Sequence, residues 1–530
     1  MHRNTFVRFF HAFSVCMTFA MAGAALAQST LPTASAIPPV PKPLDFPRPT
    51  LLPPGKDFPI ANFGAVPDGK TLNTAAIQKA IDTCSADGGG TVVVAKTDAG
   101  TTYLSGAIFL KKGVHLRVDK EAILKGSINP ADYPIIDTRF EGIERPFMCG
   151  FINATGLDGI TISGEGTIDG SGDQYGGRAL NAGRGFGRGR GATSGPAAAP
   201  APLIVDGVTI TPAPPVQSVF TEPRTVLTPT PDNPPALQLV GAGGNRPRLV
   251  LLTNCTNIAV RDIHLQNQAV WCLHILYCTD VLVENVDIRD PTRRVPSSDG
   301  IDIDSSRRVR VERTTIDVND DCITIKSGKD ADGRRVNRAC EDILVVNSHM
   351  KYGHGGVSMG SEVSGMVRNV EVRDTVIDSG NWAPIRFKSQ VTRGGIVENI
   401  VYRNIKIDDV NGIFDFNLEW NAAPSSGERV PTKVRNVYII NVTGNARSGG
   451  SIHGVPDSPI TNILFQDCVL TAGAPLRLTN TANLDTSGLK LTVPEGQEAI
   501  ISSNGPAAAR GGGRRGRGTP ATQPSPAPSN

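Results

Sequence analysis

Three aspartates (Asp299, Asp320 and Asp321), a histidine between glycines (His354) and an Arg-x-Lys pair (Arg386 and Lys388) are the residues whose types and spacing point to chemistry. Two or three carboxylates held close together cannot all ionise easily, so one keeps a proton near neutral pH and can act as a general acid. Another can then deprotonate water. Arg386 and Lys388, two apart on a strand, project to the same side and can jointly bind an anionic group of a substrate. His354, flanked by Gly353 and Gly355, is accessible enough to tune the carboxylates or to bond a substrate.

Each signal alone has a plainer explanation. Asp299-Gly300 and Asn319-Asp320-Asp321 read equally well as turns, a glycine-flanked histidine as a loop residue, and Arg-x-Lys as a solvated strand face. Asp302 and Asp304 read as strand caps. Asp330-Ala331-Asp332-Gly333 lacks the later ligands of a calcium loop and reads as a turn. Spacing favours function. Asp299 precedes Asp320 by 21 residues, Asp321 precedes His354 by 33, and His354 precedes Arg386 by 32. Each interval suits one coil of a stacked β-architecture, which would set all the groups in a row at the strand spacing of about 4.8 Å.

The elements that must position them are strands. From Thr91 onward, Asn or Asp repeatedly precedes a β-branched residue and an alternating strand, as in Asn257-Ile258-Ala259-Val260, Asp280-Val281-Leu282-Val283 and Asn369-Val370-Glu371-Val372. The first β-branched positions (258, 281, 309, 343, 370, 400, 437, 463) are spaced by 23, 28, 34, 27, 30, 37 and 26 residues. This variable period predicts an all-β, single-stranded right-handed parallel β-helix, with Asn or Asp at a recurrent corner. A β-sandwich is the alternative and would need closer, hairpin-type turns.

Other segments set the boundaries. Residues 1–27 read as an export signal, with Arg3 and Arg8, an apolar run and Ala25-Leu26-Ala27 as a cleavage site. A secreted or periplasmic protein follows, with no membrane segment after signal removal. Residues 28–55 are a proline-rich lead-in, expected to be extended rather than packed. One amphipathic capping helix is predicted, with Asn73 as N-cap, Ile77, Ala80, Ile81 and Cys84 on its apolar face, and Asp87-Gly88-Gly89-Gly90 as its end. The catalytic domain spans 56–503, with a long Gly/Pro/Arg-rich insertion at about 175–247, and a low-complexity tail fills 504–530.

The net charge of +3 is misleading. The export signal, the glycine-rich stretch and the tail hold ten basic and no acidic residues, which leaves 43 basic against 50 acidic in the rest. An acidic body gives no footprint for nucleic acid. No cysteine pair or Cys/His cluster has metal-site spacing, and buried thiols are expected, with a Cys322–Cys340 bridge left open. A monomer without metal or cofactor is expected.

The ordered set resembles that of the polygalacturonases, the family-28 glycoside hydrolases, whose signatures are Asn-x-Asp, Asp-Asp, Gly-His-Gly and Arg-x-Lys. Here they correspond to Ser297-Ser298-Asp299, Asp320-Asp321, Gly353-His354-Gly355 and Arg386-Phe387-Lys388. The similarity runs from about Phe58 to Leu470 and departs at Ser297, where the family has Asn. The resemblance implies a pectin-lyase-like solenoid and metal-free, inverting hydrolysis of the α-1,4 bonds of polygalacturonate. In it Asp320 is the acid, Asp299 and Asp321 activate water, His354 supports the site, and Arg386 and Lys388 hold the galacturonate carboxylate. Acid and base one to two coils apart would satisfy the roughly 6.5–9.5 Å that inversion uses. The alternatives are a hydrolase of another acidic pectic glycan, a calcium-dependent β-eliminase, and a non-catalytic glycan-binding β-helix.

Overall fold

The computed structural model describes residues 36–175, 203–205, 208–210, 246–378, 382–420 and 427–503. The expected export signal, most of the long insertion and the tail lie outside the described residues. The chain divides into Met1–Ala36 and Ile37–Asn530, and the second unit carries everything that follows.

Strand follows strand, and almost every ladder is parallel. Twelve strands form one sheet in strict chain order, one per coil. Six of them matter below: β1 (Leu273–Leu276), β2 (Ile301–Asp304), β3 (Ile323–Lys326), β4 (Gly355–Met359), β5 (Ala383–Lys388) and β6 (Phe414–Asn417). Most other strands join a second sheet of 21, including long ones such as Thr256–Gln266 and Ile396–Val410. The unit is a right-handed parallel β-helix, the hand that parallel crossovers take.

The recurrent corner has a physical cause. Asn257, Asp280, Asp342, Asn369, Asn399, Asn436 and Asn462 all have φ between 52° and 58°, and Arg308 stands at 50°. Asn and Asp tolerate this left-handed conformation because a short polar side chain can bond locally. Here those side chains also bond to one another. Asn399 donates to Asn369 (3.2 Å), Asn436 to Asn399 (3.1 Å), Asn462 to Asn436 (2.8 Å) and Asn483 to Asn462 (2.7 Å), forming a ladder up the corner. Between corners the period of two sends Ile301, Ile303, Ile323, Ile325, Val357, Met359, Ile385 and Phe387 into the core.

Helix α1 (Thr74–Ala86) buries Ile77, Ala80, Ile81 and Cys84 against the first coil, as its pattern predicts. Asn73 precedes it, but its side chain makes no cap bond. Its amide instead ties Val66, Thr71 and Leu104 together. The proline-rich lead-in is extended, yet it is packed. Pro38 accepts from Tyr438, Leu44 N donates to Glu371, Arg48 reaches Glu284, and Leu52 N donates to Gly159, so the strap crosses coil after coil. Asp330-Ala331-Asp332-Gly333 belongs to a short helix, α2 (Asp330–Val336), rather than to a turn. All eight cysteines of this unit are buried; Cys322 Sγ donates to Tyr352 O and Cys340 Sγ to Ile303 O, so the Cys322–Cys340 bridge is not formed.

Asn399→Ala removes two ladder bonds and puts alanine at φ 57°. It should cost about 2 kcal/mol and lower the urea midpoint, while Asn399→Gly, spared the backbone penalty, recovers part of the loss. Equal midpoints for wild type and both variants would show the ladder to be ornamental.

Candidate active site

Each acid is placed by the first residues of a site strand. Gly300 N donates to Asp321 O and Ile301 N to Cys322 O (both 3.0 Å), which sets Asp299, ahead of β2, beside Asp321, ahead of β3. Oxygens of Asp299, Asp320 and Asp321 all lie within 4.8 Å of one another. The glycines around His354 are there for space. A Cβ at Gly355 would stand 2.5 Å from Asp321 Oδ1, and one at Gly353 would stand 2.6 Å from Asp320 O. His354 Nδ1 lies 3.4 Å from Asp320 Oδ1, which also accepts from the Asp321 N–H at 3.0 Å.

The period of two that buries Ile385 and Phe387 turns Arg386 and Lys388 outward. Lys388 Nζ binds Asp321 Oδ2, Arg386 Nη1 lies 3.2 Å from Asp321 Oδ1, and Ser358 Oγ donates to the same oxygen at 3.0 Å. Arg386 Nε also holds Asp415 at 3.1 Å. All six residues picked from the sequence therefore meet in one place. The resting roles of Arg386 and Lys388 differ from the expectation, since both hold an acid of the cluster.

Sequence reasoning missed a second cation. Lys326, at the end of β3, lies 2.9 Å from Asp302, 3.8 Å from Asp299 and 3.7 Å from Glu362, with its ammonium 3.9 Å from the Trp271 ring centre. A lone lysine closing an otherwise apolar strand was the available signal. Asp302 and Asp304 are likewise not strand caps; both are fully buried, the first beside Lys326 and the second on Arg139 at 2.9 Å.

These contacts sort the acids. Burial, reinforced by the charges of Asp302 and Asp320, pushes the Asp299 carboxyl well up, so it keeps its proton. Burial also pushes Asp302 up, to about 7, against the pull of Lys326. For Asp320, burial is outweighed by the His354 hydrogen bond and by the charges of His354, Lys388 and Arg386, which hold it well below the usual range. Asp321 is also lowered, since Lys388 and Arg386 outweigh its burial. His354 is raised, chiefly by its bond to Asp320. Asp299 and His354 are thus the two groups of the cluster shifted toward their protonated forms. Three clustered acids can also hold a cation, but Lys326, Arg386, Lys388 and His354 already answer their charge.

The cleft is open on one side only. A hairpin (Ile135–Phe140 with Ile143–Met148) lies on the outer faces of β1 and β2. Arg139 binds Asp304 and Ser305, Phe140 packs on Trp271 at 4.7 Å, and Lys329 N donates to Gly142 O. His274, Asp302 and Asp304 face outward on the sheet, and this roof leaves them without solvent exposure. On the other side, His354, Trp382, Asp415 and Asn417 reach solvent. A groove of about 1010 Å³ on the second sheet, lined by residues of both signs such as Arg117, Asp119, Arg261 and Asp262, holds none of the acids.

One expectation fails. Acid and base one to two coils apart were to stand roughly 6.5–9.5 Å from one another. Oxygens of the three acids instead lie within 4.8 Å of one another.

Residues 240–487, which contain every residue of the cluster, match the model of the glycosyl hydrolases family 28. A probable polygalacturonase of Vitis vinifera is 24% identical over 462 residues, covering 84% of this chain and 81% of the relative. An exo-poly-alpha-D-galacturonosidase of Dickeya chrysanthemi is 25% identical over 414 residues, covering 74% and 62% respectively. Among solved structures, a hyperthermoactive exopolygalacturonase from Thermotoga maritima superposes with a TM-score of 0.68 at 26% identity, covering 86% of this chain and 94% of that one. With the four motifs assembled into one cluster on a parallel β-helix, and with that cluster inside the matched span, the chain is similar to the glycoside hydrolases of family 28 over the part that carries its site.

Proposed function

We propose that this hydrolase cleaves the α-1,4 bonds of polygalacturonate from a chain end, with inversion, as an exported enzyme. The observation that carries the reading is the cluster itself, in which three aspartates meet a histidine and two cations. Residues 1–27 support export, and the relatives' names support the substrate.

The roles follow from the contacts. Asp321, anionic and fixed by Lys388, Arg386 and Ser358, accepts a proton from water. Asp299, still protonated, donates a hydrogen bond to that water and holds it. As the water attacks the anomeric carbon, the glycosidic C–O bond breaks and the departing oxygen takes a proton from Asp320, which draws it from His354. The free N–H groups of Arg386 reach for the sugar carboxylate. Inversion here rests on occupancy rather than on carboxylate separation. Asp321 has both oxygens engaged and Asp299 is neutral, so neither makes a good nucleophile, whereas both can position water.

Chain-end attack rests on the roof. With the outer rows of β1 and β2 covered by the hairpin, a polymer cannot run on past Asp299 in that direction. A β-eliminase would need calcium and a free basic group, and the lysines of this cluster are committed to carboxylates.

Digestion of polygalacturonate in chelator should release short, saturated products of one size from the first minutes, with viscosity falling slowly. Mid-chain cuts would overturn the chain-end reading, and unsaturated products the hydrolase. Proton NMR of the first product should show the β-anomer; an α-anomer would make one of the aspartates a nucleophile. Asp320→Asn should lower kcat about 10²–10⁴-fold. His354 is raised in the folded site, so activity should persist up to its raised pKa and fall as pH passes it. His354→Gln should move that alkaline limb to lower pH, and an unmoved limb would remove His354 from the proton path.

A further inference from the structure

Trp382 has no structural reason to be where it is. It is 56% exposed, and no other aromatic stands among the large hydrophobic side chains exposed in the described residues. Exposed tryptophan surface is unusual unless something covers it. Its position is specific as well. Ala383 N donates to His354 O and Gly412 N to Trp382 O, so Asp320, His354 and Trp382 follow one another on three consecutive coils. At about 4.8 Å per coil the indole stands one coil from the imidazole and two from the proton-donating acid, on the side the hairpin leaves open. It immediately precedes β5, which supplies Arg386 and Lys388.

The other two tryptophans frame the same rungs. Trp271 lies under Lys326 at the roofed end, and Trp420, half-buried, has the Lys388 ammonium 5.3 Å from its ring centre. Both rings are therefore occupied by a cation and a lysine stem. Trp382 is the exposed one of the three. A pyranose presents an axial C–H face that packs on an indole while its hydroxyl and carboxylate edges stay hydrated or paired, the mixed surface for which tryptophan is suited.

We propose that Trp382 is a stacking platform for the sugar ring beyond the one held at Arg386, and so sets the preference for longer chains. This deepens the proposed function and rests on it. The platform binds a ring face, so it senses chain length and not the charge of the carboxylate.

The test compares wild type, Trp382→Phe and Trp382→Ala, all full-length, on galacturonate oligomers of two to six units. Trp382→Ala should raise KM for the longer oligomers about 3- to 10-fold and leave the dimer and kcat nearly unchanged, while Trp382→Phe keeps most of the wild-type KM. In an Asp320→Asn background, oligomers should shift the tryptophan fluorescence, and the shift should vanish when Trp382→Phe is added. Unchanged KM values for Trp382→Ala, with wild type active, would overturn the platform alone. If wild type does not cleave polygalacturonate, the substrate reading falls, and the fluorescence titration is run with neutral oligosaccharides. A Trp382-dependent shift there would keep the platform, and no shift would end it.

Discussion

The constraint on which the rest of this molecule depends is the left-handed corner. A solenoid coil stacks on its neighbour only if the chain turns at the same place and angle each time, and a non-glycine residue at φ near 55° is the means used here. Asn and Asp accept that conformation, and their amides then bond across coils. Register follows from this. A slip of one residue would turn every buried isoleucine outward and every outward-facing acid into the core, so the corner ladder and the apolar alternation enforce the same alignment.

Once the register is set, residues separated by a coil in sequence become lateral neighbours, and the chemistry becomes a problem of charge. Asp299, Asp302, Asp320 and Asp321 crowd into a space from which water is largely excluded, an arrangement that would unfold the site without counter-charges. Lys326 and Lys388 answer them from strands one coil and three coils beyond β2. The two lysines do not act alike. Lys388 and Arg386 bind Asp321 closely and keep it anionic, whereas Lys326 is shared among three acids and leaves Asp299 above the ordinary range. The same crowding that threatens stability therefore separates the acids into donor and acceptor.

How far this could be read from the sequence depends on the range of the interactions. The corners were legible because each is a local residue preference repeated at Asn257, Asp280, Asn369 and Asn399. The six site residues were legible because their spacing is a coil length, which the corners had already measured. Lys326 was not, since a lysine at the end of an apolar strand has meaning only when Asp299 and Asp302 stand on the neighbouring coil. Asn73 stands at the N-cap as expected, but its side chain caps nothing because its amide is claimed by Val66 and Leu104 from outside the helix. The lead-in from Ile37 was misread as unpacked for the same reason. Its partners, from Tyr438 down to Gly159, are between 107 and 400 residues away.

The hairpin at 135–148 belongs to that illegible class and yet carries the proposed chain-end attack. It is an antiparallel excursion from a parallel solenoid, anchored by Arg139 on Asp304 at a separation of 165 residues and by Phe140 on Trp271. None of its residues belongs to the acid cluster, so the hydrolytic chemistry would be the same without it. The hairpin covers β1 and β2 through Arg139 and Phe140, and this cover is the basis of the proposed chain-end attack. Asp302 and Asp304 have no solvent exposure beneath it, and the charge of Asp302 adds to the burial that pushes Asp299 up, against the opposing pull of Lys326. A segment that does no chemistry thus excludes solvent from the strip of sheet next to the acids, and the proposed mode of attack rests on that cover.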